Sequence, residues 1–396
     1  MDEGSRIARK SIIIAMVVFF IIALGPCISS AYHKSFPVVS TSEPYHYFTY
    51  QEMTDLLYDL ADQYPDIVHL ESIGTTYEGR SIWMVKLSDN AAVDEDEPGV
   101  LLMGAHHGNE KPSYEVVLFF IQYIVHHYYE NTTLNTNKVT QEDQLQENYE
   151  DSHGILPEDL SDDRVRAVMN NTQIYCIPMV NPDGVEANSR KNRAPNYGPY
   201  GTSNEITSYG VDLNRNYGFR WFLPFILKEY YYFTWLTDDQ SDIYRGERAF
   251  SEAETKAVKD FVETKNISIS LSYHDFGEWM IFPWTHSSLK TPHERLYRSI
   301  GENMSLINNY ELKIYGQYGT KEYLIPRFCG TVGTSENWLY AQRNILAFTI
   351  ELCPFRAPRN PDLVYDACNR QVGVNLYICE RSWTVEQEKK DHFNLQ

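Results

Sequence analysis

Residues 99–103, Gly-Val-Leu-Leu-Met, form an unbroken apolar run, too short for a core helix and without the alternation of a half-exposed strand. Such a run is a strand inside a sheet that is covered on both faces. Covering both faces takes helices above and below, which points to an α/β architecture. The remaining chain supplies them in alternation. Thr49 and Glu52 form a capping box before a stripe of Met53, Leu56, Leu57, Leu60 and Tyr64, and Pro65 ends that helix. Residues 66–74 and 80–89 read as strands, 113–129 as a strongly apolar helix, and 173–180, 267–273 and 344–352 as further strands. Ser251 with Glu254, and Thr291 with Pro292 and Glu294, predict two more capped helices, and 361–383 a closing one. The expectation is a three-layer α/β/α fold with a central mixed β-sheet, one domain over residues 45–385 and a polar tail at 386–396. Two stretches interrupt the alternation, an acidic insertion at 130–165 and an aromatic one at 224–242.

The N-terminus has a different character. Arg6, Arg9 and Lys10 precede an apolar run over residues 12–24, short for a spanning helix and suited to a signal-peptide core. Residues 1–31 are expected to be a signal peptide ending at Ala31 or an uncleaved N-terminal anchor, followed by a short linker at 32–44. Export, with the protein secreted or held on the outer face of a membrane, agrees with glycosylation sequons at Asn131, Asn170, Asn266 and Asn303. A net charge of −20 argues against nucleic acid as a partner, since phosphates demand a positive surface. Six cysteines without a Cys-x-x-Cys spacing speak against a cysteine zinc site, and leave one or two disulfides open.

Directly behind the strand at 99–103 comes Gly-Ala-His-His-Gly-Asn-Glu-Lys-Pro-Ser, residues 104–113. Two histidines and a glutamate on a loop past a strand end can hold a metal, because zinc favours imidazole and carboxylate ligands and open α/β sheets place their sites there. His107 and Glu110 are three apart; His106 competes, and adjacent residues on an extended chain point opposite ways. A third ligand would come from another strand end, where His274 follows 267–273.

These residues resemble the zinc metallocarboxypeptidases of the carboxypeptidase A/B type. The series is His-Gly-Asn-Glu at 107–110, Asn-Pro-Asp-Gly at 181–184, the basic stretch 189–193, Gly-Val-Asp-Leu-Asn-Arg at 210–215, Ser-Tyr-His-Asp at 272–275 and Phe-Thr-Ile-Glu-Leu at 348–352. The resemblance implies one Zn2+ per chain held by His107, Glu110 and His274, with Asp212 bracing a zinc histidine. It implies that Asn214 and Arg215 grip the free carboxylate of a peptide or protein C-terminus, that Arg190 polarises the scissile carbonyl, and that Glu351 is the general base. Glu336 aligns with the residue that sets side-chain preference, and a carboxylate there favours C-terminal Lys or Arg. Departures are Asn109 where the family often has arginine, Phe276 where it often has tyrosine, and Cys329 or Phe328 at the place of a mobile tyrosine, for which Tyr323 is a candidate substitute. The first helix begins 18 residues after Ala31, so no folded prodomain and no activating cut are expected. Two other function classes compete with the exopeptidase: a zinc amidase acting on cell-wall or side-chain amides, and a non-catalytic peptide-binding module of the same fold.

Overall fold

The sheet foreseen from residues 99–103 has eight strands in the computed structural model, which describes residues 44–129, 160–197, 204–206, 208–222, 231–287, 289–313 and 331–394. Residues 1–31, nearly all of the linker, the acidic insertion up to 159, and Tyr323, Phe328 and Cys329 lie outside the described residues. The strands are β1 (Val68–Thr75), β2 (Ser81–Leu87), β3 (Gly99–Met103), β4 (Gln173–Ile177), β5 (Pro195–Asn196), β6 (Ser208–Tyr209), β7 (Ile267–Asp275), β8 (Trp279–Ile281), β9 (Glu311–Lys313) and β10 (Leu346–Leu352). The large sheet runs β1-β2-β4-β3-β7-β10-β8-β9, while β5 and β6 pair separately. Its centre, β4-β3-β7-β10, is parallel; β1, β2 and β8 join antiparallel.

The helices are α1 (Tyr50–Gln63), α2 (Pro112–Tyr129), α3 (Asp162–Met169), α4 (Pro182–Glu186), α5 (Tyr231–Thr237), α6 (Ala253–Val262), α7 (Glu294–Asn308), α8 (Ser335–Arg343) and α9 (Pro361–Asn394). Two cores separate across the sheet by the period-2 rule of a strand. Val100 and Leu102 of β3 join the core of α2, α3, α7 and α9, while Leu101 and Met103 join that of α6 and α8. All five residues of β3 are buried, the both-faces coverage that its composition calls for. The fold class is therefore as expected: α/β, a mixed sheet between helical layers.

Three local expectations need correction. The Thr49–Glu52 capping box of α1 forms, but the two later ones do not. At α6 the N-cap is Glu252; the Ser251 hydroxyl is turned to the Glu252 carboxylate at 2.6 Å, and Asn216 Oδ1 accepts the Glu252 N–H instead. At α7 the N-cap is His293, two residues past Thr291, and no side chain caps it. The closing helix passes Trp383 and continues to Asn394, so the stretch after 385 starts as helix rather than as tail. Val385 is buried there, Lys389 reaches the Asn344 carbonyl, and Thr384–Glu388 and Gln387–Asp391 bond at i,i+4 spacing. Cys176, Cys353, Cys368 and Cys379 are buried free thiols, so among the described residues the disulfides left open by the cysteine count do not form.

Candidate metal centre and active site

Three neighbouring parallel strands deliver the site at their carboxyl ends: β3 leads into His107 and Glu110, β7 ends in His274–Asp275, and β10 carries Glu351. Register does the rest. Glu351 pairs with His274 across the β7–β10 ladder, and neighbours across a ladder are about 4.8 Å apart with side chains on one face. The loop after β3 is held by the Asn-Pro-Asp-Gly turn. Val180 and Asn181 donate backbone N–H groups to the Gly104 and Ala105 carbonyls, and Asn181 Nδ2 reaches the His106 carbonyl at 3.2 Å. The two backbones touch: a Cβ on Gly108 would stand 2.0 Å from the Gly184 carbonyl carbon, so only glycine fits. The 181–184 motif thus shapes the metal loop and offers no ligand.

His107 Nδ1 lies 2.9 Å from Glu110 Oε1, His274 Nδ1 lies 2.9 Å from Glu110 Oε2, and the two Nδ1 atoms are 3.2 Å apart. His107 Nε2 meets Asp212 Oδ1 at 3.0 Å, which assigns its proton to Nε2 and leaves Nδ1 a bare lone pair. Two imidazole nitrogens and a carboxylate therefore converge, buried, with their acceptor sides turned inward. A cation satisfies such a set. Tetrahedral zinc with bonds of about 2.0–2.1 Å sets two ligating nitrogens about 3.3–3.4 Å apart, close to the separation found here. The residues present fit Zn2+.

The charges are mutually supported. Burial opposes the Glu110 charge, and with both imidazole lone pairs turned toward it the carboxylate is satisfied by the cation the three residues would share. Burial likewise opposes Asp212, and Arg190, Arg215 and His107 hold it well below. Arg190 donates from Nε and Nη2 to Asp212 Oδ2 at 3.0 and 2.8 Å, and Nη1 stands 3.4 Å from Glu110 Oε1. Arg190 is thus ion-paired and mostly covered, not a solvated surface residue of its basic stretch. Burial first, and then the Glu110 carboxylate, push the Glu351 carboxyl well above the ordinary range, against the pull of Arg190 and Arg215.

Asn214 and Arg215 form a short 3-10 turn beside the ligands and are both buried. Asn214 Oδ1 accepts the Ser335 backbone N–H at 2.8 Å, Asn214 Nδ2 lies 3.3 Å from His274 Nε2, and Arg215 Nη1 donates to the Asn214 carbonyl at 2.7 Å. Glu336, on the first turn of α8, is buried and accepts hydroxyl bonds from Thr285 at 2.9 Å and Thr349 at 3.4 Å. Thr349 sits two residues before Glu351 on β10, so one strand ties the Glu336 wall to the metal wall. His106, the competing histidine, faces away from the ligand cluster and bonds to Tyr217 and Ser272.

Sequence reasoning passed over Arg356. The chain after β10 turns back, its Ala357 N–H donating to Asp275 Oδ2 at 2.6 Å, and this sets Arg356 Nη2 3.9 Å from Glu110 Oε1 and its guanidinium over the Phe276 ring. No short motif marks it, because the contact depends on the fold of the loop.

A buried His-Glu-His cluster with a second carboxylate at its rim and arginines beside it defines a zinc hydrolase. The zinc carboxypeptidase family profile matches residues 53–360, and the chain belongs to that family. It is 26% identical over 351 residues to a zinc carboxypeptidase of Saccharothrix mutabilis subsp. capreolus, covering 84% of this chain and 69% of that one. It is 26% identical over 314 residues to carboxypeptidase B of the crayfish Astacus astacus, covering 77% and 86%. In fold it is similar to carboxypeptidase A of Helicoverpa armigera, with TM-score 0.63, 20% identity, and 86% of this chain and 75% of that one covered. It is also similar to bovine thrombin-activatable fibrinolysis inhibitor, there in complex with a tick carboxypeptidase inhibitor, with TM-score 0.61, 18% identity, and 85% and 97% covered. The enzyme is a metallocarboxypeptidase, its cofactor is zinc, and the family acts on peptide C-termini.

Proposed function

We propose that this chain releases single C-terminal amino acids with Glu351 as general base, and that it favours C-terminal Lys and Arg. The reading rests on one observation: Glu351 is paired in register with His274, at the edge of the His107–Glu110–His274 cluster. When held by those three residues, zinc would supply a Lewis acid that lowers the pKa of a bound water toward about 7. Glu351 takes the proton of the attacking water as its oxygen adds to the scissile carbonyl, then hands it to the amine as the C–N bond breaks. Arg190 is anchored to Asp212 by two arms, and Nη1 is the arm presented to the oxyanion.

Asn214 and Arg215 hold the terminal carboxylate, since a guanidinium forms paired charge-assisted bonds to it. Binding of a free α-carboxylate there limits the reaction to the last residue. Glu336 supports the Lys/Arg preference. It is a buried carboxylate with two hydroxyl donors, and among the described residues no lysine, arginine or histidine pairs with it. A substrate cation would complete it. Export is proposed from residues 6–31 alone, a basic cluster followed by an apolar run.

A digest of matched peptides ending in Lys, Arg, Phe and Leu, each with a free or an amidated C-terminus, tests the reading by mass spectrometry. Stepwise loss of single residues from the free-ended Lys and Arg peptides is the expected result. Equal cleavage of amidated peptides would overturn the exopeptidase reading; faster cleavage after Phe would overturn the preference alone.

A further inference from the structure

His106 belongs to the motif that builds the metal loop, yet it neither joins the ligand cluster nor faces the cleft. It is wholly buried, and its ring stacks on that of His274 with centroids 5.6 Å apart and planes 15° apart. Its Nδ1 is 3.1 Å from Ser272 Oγ and its Nε2 is 2.8 Å from Tyr217 Oη. Ser272 Oγ is in turn 3.3 Å from His274 Nε2. Ser272 and His274 are two apart on β7 and so share a face, and Ser272 pairs with Met103 of β3, three residues before His106.

The direction of every bond in this chain follows from one demand. A histidine that offers Nδ1 to a metal carries its proton on Nε2. The Nε2–H of His274 then needs an acceptor, and the two candidates 3.3 Å away are Asn214 Nδ2 and Ser272 Oγ. Asn214 is fixed with Oδ1 toward the Ser335 N–H, so its Nδ2 is a donor and cannot serve. Ser272 Oγ is the acceptor. Its own hydrogen then points to His106 Nδ1, and His106, accepting at Nδ1, carries its proton on Nε2 and donates to Tyr217. A buried hydroxyl facing an apolar side chain at position 106 would lose that fixed direction, and with it the bond that holds the His274 ring.

We infer that His106 is a positioning residue for the metal centre: through Ser272 it fixes the tautomer and ring orientation of His274, so that the His274 Nδ1 lone pair meets the ion. This rests on zinc being held by His107, Glu110 and His274. The relay of Tyr217, His106 and Ser272 meets His274 at Nε2, as the Asp212 carboxylate meets His107 at its Nε2.

Zinc affinity by competition with a chelator tests it, with the thermal midpoint of the zinc-free protein measured alongside. The variants are His106→Leu, His106→Asn and Ser272→Ala. The expected result is a zinc dissociation constant raised about tenfold or more in His106→Leu and in Ser272→Ala, the range typical of partners behind metal ligands. The Asn amide oxygen falls where Nδ1 stood, so His106→Asn is expected to recover affinity to within about threefold of wild type. A merely structural histidine would move the zinc-free midpoint and show no such recovery. Affinities of His106→Leu or Ser272→Ala within about twofold of wild type, or no recovery in His106→Asn, overturn the inference. Should His106→Leu fail to fold, Ser272→Ala and His106→Asn decide by the same criteria. A wild-type chain that takes up no zinc sinks the zinc reading and the inference with it, whereas zinc uptake with indifferent variants sinks the inference alone.

Discussion

The metal wall and the side-chain pocket differ in how their charges are settled. On the metal wall the charges are settled without substrate: Asp212 is paired with Arg190 and accepts the His107 Nε2–H, and Glu110 faces two imidazole lone pairs across the place the metal would take. In the pocket, Glu336 has hydroxyl partners and among the described residues no cation. The first arrangement is organised before substrate arrives; under the proposed Lys and Arg preference the second is completed by substrate. That contrast teaches where rate and where selectivity reside, because groups held in place lower a barrier and groups left to be paired discriminate among ligands.

Removing a ligand tests the metal wall most severely. His274→Ala is expected to lower zinc content and reduce hydrolysis to background, as checked by metal analysis and a peptide assay; full activity in a zinc-free preparation would sink the comparison. Glu351→Gln should separate binding from chemistry. Zinc content and KM are expected to hold while kcat falls by about 10²–10⁴-fold, the span of a general base. On the pocket wall the expected effect is smaller and falls on selectivity. Glu336→Leu should cut kcat/KM for Lys-ended peptides relative to Leu-ended ones by about 10–200-fold, as in pockets that discriminate by a single contact. An unchanged ratio would detach Glu336 from specificity.

A control comes from a buried charge that bonds to neither wall. Glu115 on α2 accepts the Tyr45 hydroxyl at 3.0 Å and the Phe48 N–H at 2.8 Å, and burial pushes its carboxyl up to about 8. The sign follows from the native state holding the proton more tightly than the unfolded chain. The stabilising contribution is complete below the ordinary carboxylate pKa of about 4.5 and fades as pH rises toward 8, at up to about 1.4 kcal/mol per pH unit. Glu115→Gln is expected to flatten the urea midpoint between pH 5 and 8 while leaving the Lys-to-Leu selectivity ratio untouched.

Much of this was legible in the sequence because strands end where apolar runs end. Residues 99–103 announced a covered strand, so whatever followed had to emerge at the carboxyl end of the sheet, and the same held for His274 and Glu351. A glutamate inside Phe-Thr-Ile-Glu-Leu had few inexpensive explanations. The two misread caps differ in cause. The hydroxyls of Ser251 and Thr291 are correctly spaced for capping, but Asn216 supplies the bond at α6 from a distant turn, and at α7 the helix starts later. Local signals lose wherever a tertiary partner offers a better bond.

By itself the sequence determined the alternation of strands and helices, the metal ligands' residue types and their order, because apolar periodicity and ligand chemistry are local properties. It could not decide which way His106 faces, that Arg190 is tied to Asp212, or that Arg356 approaches Glu110. Those depend on strand register and loop path, which bring residues from distant segments within 4 Å, and no spacing along one chain encodes a distance across three strands.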